Sequence, residues 1–557
     1  MTESSRSWWG RRRLALAALG AGGIAILAFG YRFNSLDGSL GGFTNDHFAQ
    51  LMRAEMLLRG EQPLRDFADA EMRGAWPALS YAVPAWAQQL FGRTLLAEAY
   101  MTIGALALTA AFVFLLVLDL AKRWSVALLA TAVVIAMEPP LYSYPKVLML
   151  ALGVVAIRMA THRPTAWRIG FAALATAGAV LFRHDLGVYV GVGVIAGLIA
   201  LDAGSWSAMG RRVGLYVGLT VLCLVPSAAW VQAYEGIPTY LRNNLATTAI
   251  EAGRTDPEAS LLAQLTPLNS DSLVLLSYYA FWAVLVVTAI VLAWRVFRSG
   301  SPLSPEDRGC AAGVLAMAVV ANVFLLRDNL TSRLGDAVVP VVVLGAWSVG
   351  ALEAITRPSV RRLAMLLPLV VLMFVLGASW VFVDVQHTLD DGGFTESPQR
   401  VARQFSEVRK RLLRLPPVEW QDGDASGTLV AARYVAECTN PDDYLLVAAE
   451  APEIAVFARR RFAAGQGTVA LGRYASESEQ RRAMARLASQ SVPIILADAA
   501  RFEAEFLNVY PLLARHLADH YREAGTIVAR GSRFLVFVEA NRKALRADPH
   551  LGLPCFQ

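Results

Sequence analysis

The chain has 557 residues, of which 55% are hydrophobic and only 17% charged, where ordinary soluble domains carry about a quarter charged residues. That balance excludes a disordered chain, a collagen-like fibre and a disulfide-rich miniprotein, and argues for an integral membrane protein with a soluble portion attached. The net charge of +6 would suggest nucleic acid in a soluble protein; here the basic residues sit in loops between apolar runs, so no nucleic-acid partner is expected.

In chain order, the first apolar run, Leu14 to Tyr31, follows Arg6, Arg11, Arg12 and Arg13, as a signal peptide would begin. No small-residue cleavage pattern follows, so it reads as a retained first helix. Further spans are predicted at about 95–120, 124–138, 145–160, 168–184, 186–202, 212–234, 272–295, 310–326, 336–356 and 362–384, eleven with the first. With the N-terminus in the cytoplasm, Lys122/Arg123, Arg163/Arg168, Arg211/Arg212, Arg295/Arg298 and Arg357/Arg361/Arg362 all fall in inner loops, as the positive-inside bias requires. Counting Trp76–Phe91 as a twelfth span would turn every later basic loop outward, so that segment reads as an interfacial or re-entrant helix. The reading is a plasma-membrane module over 1–384, with a first outward loop at 31–94, and an extracytoplasmic (periplasmic or extracellular) α/β domain over 385–557.

Within that last domain, Gln399–Leu415 is helical and stops at Pro416-Pro417, and a second helix ends near Cys438. The turn Asn440–Asp443 feeds an apolar strand at Tyr444–Ala448, Val492–Ala497 is another, Ala499–Tyr521 reads as one long helix, and Gly525–Arg530 with Phe534–Glu539 forms a hairpin. Cys223 and Cys310 lie in predicted spans, whereas Cys438 and Cys555 share the outward domain, where a disulfide is permitted. No metal-ligand spacing occurs among the seven histidines.

Thr44–Gly60 has a cap, apolar residues at helical spacing and a glycine stop, and reads as an amphipathic helix on the outer membrane surface. With Thr44 as cap, Asp46 falls in the first turn, where the helix dipole stabilises its anion. On the residues alone, Asp46 is equally a helix-start residue or a carboxylate placed to take a proton from an alcohol.

The run Asp46-x-x-x-x-Leu51-x-x-Ala54-x-x-Leu57-Leu58-x-Gly60-Glu61-x-Pro63-x-x-Asp66-Phe67, followed by Trp76-Pro77 and Leu90-Phe91-Gly92, resembles the first outward loop of type C (GT-C fold) membrane glycosyltransferases. It is most similar to those related to dolichyl-phosphate-mannose protein mannosyltransferases and their bacterial relatives. The topology and the C-terminal stretch Pro441–Val447 with Arg460-Arg461-Phe462 extend the resemblance over most of the chain. It implies transfer of one sugar, with inversion, from a polyprenyl-phosphate donor to an extracytoplasmic glycan, lipid or protein, with Asp46 as the base. Many relatives carry a second acid after the first; His47 stands there instead, which argues against a bound divalent metal and leaves His47 a supporting role. Asp66, Asp69 and Glu71 supply acceptor hydrogen bonds or structural pairs on this reading.

Such chemistry needs cations around the departing phosphate. Lys146, Arg183-His184 and the cluster Arg327 to Asp336, which includes Arg333, are the outward candidates. Each alone reads equally as a snorkelling anchor or a local ion pair. Together, three basic turns facing one acidic loop form the pattern that a lipid-phosphate site requires. Glu138, before Pro139-Pro140, reads first as a helix end and second as a group orienting the acceptor. An aromatic belt explains Trp76, Tyr142, Tyr144, Tyr234 and Tyr240. Rival readings are a transporter or flippase of lipid-linked sugars, a ligase of whole glycans and a non-catalytic envelope-assembly subunit. The first would place ionisable groups at mid-depth in repeated halves, a pattern this sequence lacks.

Overall fold

The computed structural model describes residues 3–557 except 37–42, 44, 69–76, 143–144, 254–268, 298–302, 327–329, 354, 356–357, 416–425, 471 and 530. After α1 (Glu3–Asn34), the first loop carries α2 (Asn45–Leu58) and α3 (Leu79–Phe91). The bundle continues with α4 (Leu95–Ala121), α5 (Trp124–Ala136), α6 (Lys146–His162), α7 (Ala166–Phe182), α8 (His184–Leu201) and α9 (Trp206–Tyr234). Next come α10 (Ile237–Gly253), α11 (Ser270–Phe297), α12 (Pro305–Leu325), the single turn α13 (Leu330–Arg333), a tight turn at Leu334–Ala337, α14 (Val338–Leu352) and α15 (Pro358–Phe382).

A helix thus stands at each of the eleven expected spans. Eight are long and apolar enough to cross a bilayer, and the chain is a multi-pass membrane protein. The other three, α5, α6 and α7, have 13, 17 and 17 residues, fewer than the roughly 20 of an untilted crossing. Their limits are chemical. Arg123 and the Pro139-Pro140 pair bracket α5, Pro145 precedes α6, and Arg183 breaks the ladder between α7 and α8.

With no hydrophobic drive between helices in lipid, packing rests on close approach and satisfied polar groups. The most extensive helix pair, α8 with α12, is a glycine seam. A Cβ on Gly313 would lie 2.6 Å from the Gly193 carbonyl oxygen, and one on Gly309 2.8 Å from that of Gly197. Buried hydroxyls donate back to their own helices, as Thr131 does to Ala127 O, Thr161 to Ile157 O and Thr176 to Ala172 O. At one end of the bundle Arg158 of α6 binds Asp119 of α4 (3.1 Å) and Asp307 of α12 (3.3 Å), and Arg123 binds Glu353 (2.7 Å).

Beyond the bundle lie α16 (Val385–Asp391), α17 (Pro398–Leu412) and α18 (Gly427–Cys438). The chain then runs β1 (Tyr444–Ala448), α19 (Glu453–Ala458), β2 (Arg461–Phe462), α20 (Glu477–Leu487), β3 (Ile494–Asp498), α21 (Pro511–His520), β4 (Tyr521–Ala529), β5 (Ser532–Glu539), β6 (Arg546–Ala547) and β7 (Pro554–Cys555). The main sheet has the order β2-β1-β3-β5-β4. β1 is parallel to β2 and β3, while β5 is antiparallel to β3 and β4. A disulfide joins Cys438 to Cys555.

Two expectations need correction. The single helix expected over Ala499–Tyr521 is a short wide turn at Phe502–Leu507 followed by α21, because Pro511 lacks the N–H needed to continue a helix through it. α2 does not lie open on a membrane surface: His47 to Ala54 and Met56 are buried. One apolar core runs from Phe33, Phe48, Met52 and Phe67 of the first loop to Phe457, Phe462 and Val536 of the sheet domain. Phe48 meets Phe457 at 5.3 Å and Phe67 meets Phe462 edge-on at 5.8 Å. The amphipathic pattern reports an apolar face, and here the sheet domain covers what solvent or headgroups were expected to cover.

Candidate functional site

Three turns, far apart in sequence, meet at the end of the bundle away from Arg158. Lys146 is the first residue of α6, Arg183 separates α7 from α8, and Arg333 closes α13. All three line one cavity. Lys146 Nζ lies 2.6 Å from Asp336 Oδ2, and Arg183 Nε lies 2.9 Å from Asp185 Oδ1. Arg333 donates to the Tyr142 hydroxyl. The Tyr142 ring carries Lys146 Nζ at 4.0 Å and the Arg333 guanidinium at 5.4 Å from its centroid, so its π face holds two cations together. Leu150, Leu186, Ala321 and Phe324 add apolar wall, and Tyr189 lines it with its hydroxyl donating to Asp185 (3.3 Å).

Asp46 occupies the first turn of α2 and is half-buried. Its cap, Thr44, lies outside the described residues. The Asp46 charge reaches the cationic cluster through Tyr142. Burial raises the Tyr142 hydroxyl pKa, Asp336 and Asp46 push it further up, and Arg333 and Arg183 oppose them. Asp46 and two of the cations thus act on the same tyrosine, although Asp46 is not among the residues lining the cavity of Lys146. Asn45, the residue before Asp46, lines a second and larger crevice, which opens into the sheet domain.

The remaining expected residues go elsewhere. His47 is fully buried, its Nε2 3.9 Å from Glu98 Oε1 and its ring edge-on to Phe43 at 5.3 Å. Burial and the nearby Arg32 charge push its pKa down to about 3, so it is a neutral packing group rather than an acceptor contact. Glu138 binds Arg32 at 2.6 Å and accepts from the Tyr31 hydroxyl, fastening α1 to the turn after α5, the helix-end role. Asp66 caps a local turn, accepting from the Gln62 amide (2.8 Å) and from Arg65 (2.7 Å). Burial opposes its ionisation, but those two partners hold its pKa below the usual carboxylate value. His184 is directed to the Tyr240 hydroxyl at 3.2 Å and is not among the residues lining the cavity of Lys146. Arg327, Asp69, Glu71, Trp76 and Tyr144 lie outside the described residues.

No protein-family model and no curated protein matches the sequence. A solved structure does match the fold: the crystal structure of ArnT from Cupriavidus metallidurans bound to undecaprenyl phosphate. It is 14% identical, the match covers 94% of this chain and 98% of that one, and the TM-score is 0.50. The fold is that of a type C glycosyltransferase. At this identity the likeness concerns the path of the backbone, including the sheet domain.

On this type C scaffold, two residues join the cluster that the sequence reading left unassigned. Tyr142, expected in an aromatic belt, is buried between Lys146 and Arg333. Asp336, seen only as the end of a basic cluster, is the partner of Lys146. The available signal was the spacing of Tyr142 and Lys146 around Pro145 in an outward turn, which puts an aromatic face and an ammonium in one small loop. Among the described residues Cys438, Asp548 and Cys555 gather within 4.8 Å, but the two sulfurs are bonded to each other and offer no thiolates.

Proposed function

We propose that the protein is an inverting glycosyltransferase that moves one sugar from a polyprenyl-phosphate donor to an acceptor on the non-cytoplasmic side of the membrane. The observation that carries this reading is one cavity lined by Lys146, Arg183 and Arg333, with Asp185 and Asp336 beside them, and by the apolar residues Leu150, Leu186, Ala321 and Phe324. Three cations and an apolar wall in one cavity suit a phosphate that carries an isoprenoid chain. The fold neighbour was crystallised with undecaprenyl phosphate, a ligand of that chemistry.

In the proposed step the Asp46 carboxylate takes the proton of an acceptor hydroxyl. The freed oxygen bonds to the anomeric carbon from the face opposite the phosphate, and the electron pair of the breaking C–O bond leaves with the phosphate oxygen. The donor phosphodiester carries one negative charge and the departing monoester two, so charge grows where the cations stand. Groups preset around developing charge in a partly buried site favour the transition state over the ground state. Lys146 and Arg333 are held in place by Tyr142 and Asp336, which keeps them oriented before the donor arrives.

We place the cationic end and the sheet domain outside the cytoplasm and the N-terminus inside. Two things support this: the basic loops at the opposite end, and the Cys438–Cys555 disulfide, a bond of oxidising compartments. Asp46→Asn keeps the size of the side chain and removes the base. Transfer from a panel of radiolabelled polyprenyl-phosphate sugars, measured in detergent with purified protein, should fall by about 10²–10⁴, the usual contribution of a positioned base. Full activity in that variant removes the mechanism; no turnover of any donor by the unaltered protein leaves the transport and assembly readings standing.

A further inference from the structure

The helix that carries Asp46 buries a second polar side chain and leaves half of it unsatisfied. Gln50 of α2, one turn after Asp46, is 0% exposed. Its Oε1 lies 3.5 Å from the Ser80 hydroxyl of α3, at the long limit of a hydrogen bond. Its buried Nε2 has no hydrogen-bond partner among the described residues. Ser80 does not depend on the contact, since its hydroxyl donates to Pro77 O at 2.8 Å. The same helix provides for other polar groups that it buries: Arg53 donates to Ala49 O at 2.8 Å and to Ala68 O at 3.4 Å. A buried amide N–H without an acceptor costs stability, and a leucine or methionine of similar size fills such a place without that cost.

The position of Gln50 supplies a reason for keeping it. Residues four apart share one face of a helix, and Gln with Asp at this spacing forms side-chain hydrogen bonds. Side chains on a helix lean toward its N-terminus, so Gln50 covers the turn that holds Asp46. In the step assigned to Asp46, one carboxylate oxygen receives the acceptor proton. The other oxygen needs a donor to hold the group in a single orientation, and an amide N–H donates without exchanging its own proton for that of the substrate.

We propose that Gln50 is the positioning residue of the base: with acceptor bound, its Nε2 donates to one oxygen of the Asp46 carboxylate and so directs the other at the acceptor hydroxyl. The inference rests on the transferase reading, in which Asp46 is the base. No covalent bond forms or breaks at Gln50, and its whole effect passes through Asp46. A local cost retained beside a reacting group is the pattern in which folds give up stability for function.

The test is a double-mutant cycle on the full-length protein in detergent, with transfer from the radiolabelled polyprenyl-phosphate sugars and melting temperature measured for each variant. Gln50→Leu and Gln50→Met both remove the donor at similar size. Each should lower kcat about tenfold, the scale of one hydrogen bond to a charged group, and leave the acceptor KM within about twofold. The melting temperature should hold or rise, because an unsatisfied donor has been removed. In the Asp46→Asn chain the same changes should lower transfer by less than about twofold, since effects that pass through one residue do not add. Undiminished transfer in the Gln50 variants overturns the proposal. So does a melting temperature that falls by several degrees in step with transfer, which makes Gln50 a packing group, or a full tenfold loss in the Asp46→Asn chain. If one Gln50 variant does not fold, the other decides. Full activity in Asp46→Asn removes the base and its positioning residue together, whereas loss there beside full activity in the Gln50 variants removes the role of Gln50 alone.

Discussion

At one end of the helix bundle Arg158 faces Asp119 and Asp307, two carboxylates that are 47% and 44% exposed. At the other end Lys146 and Asp336 are 7% and 12% exposed, and Arg183, Asp185 and Arg333 stand with them around a cavity. Arg158 ties α4, α6 and α12 together through ion pairs, and the Lys146–Asp336 pair ties α6 to the turn before α14. The difference is water. In the open network, solvent and salt screen each pair to a modest contribution. In the enclosed one, the same charges interact in a lower dielectric, where an anion brought among them would feel them strongly. An ion-pair cluster is a binding site only when it borders space that a ligand can fill, and that property is not written in the identity of its residues.

The comparison breaks most directly by mutation of its two halves. Arg183→Gln and Arg333→Gln should each cut donor-dependent transfer by about 100-fold, the effect typical of losing one preset charge-stabilising group, whereas Arg158→Gln should leave transfer within about twofold. Titrating donor against acceptor in a transfer assay separates the cases; equal effects at both ends would reduce the cavity cations to anchors. Gly313→Ala tests what couples the two ends. Its new Cβ would press on the Gly193 carbonyl at 2.6 Å, forcing α8 and α12 apart, and should lower the melting temperature by several degrees while reducing transfer about tenfold.

The smallest expected effect concerns His47, in the packed layer between bundle and sheet domain. Its folded pKa, about 3, lies below the ordinary 6.5. The stability it contributes is therefore complete above pH 6.5 and is lost as pH falls from there toward 3, because the unfolded chain binds the proton first. His47→Gln should flatten the acid side of a melting-temperature profile over that window by a few degrees; an unchanged profile would assign the acid sensitivity to other groups.

Much of the fold was legible because lipid imposes a coarse rule: apolar runs of sufficient length, with arginines between them, fall where α1, α4, α8, α9, α11, α12, α14 and α15 stand. β1, β3 and the β4–β5 hairpin were legible from short apolar runs between turn residues. The burial of α2 was not, since its periodicity shows one apolar face and cannot say that the sheet domain covers the other. For the candidate site, Lys146, Arg183 and Arg333 were legible as cations in turns between apolar runs, and their meeting in one cavity required coordinates. Tyr142 was hidden because a tyrosine near a membrane boundary has an ordinary explanation, and the partner roles of Glu138 and His184 depend on α1 and α10, more than 50 positions away.

The glycine seam between α8 and α12 has a consequence for how the cationic cavity works. Arg183 stands at the entry to α8, packed backbone against backbone on α12, so its place is set when the bundle folds. On the proposed transferase reading, a donor would meet that guanidinium already positioned, and little reordering of these two helices should accompany its capture.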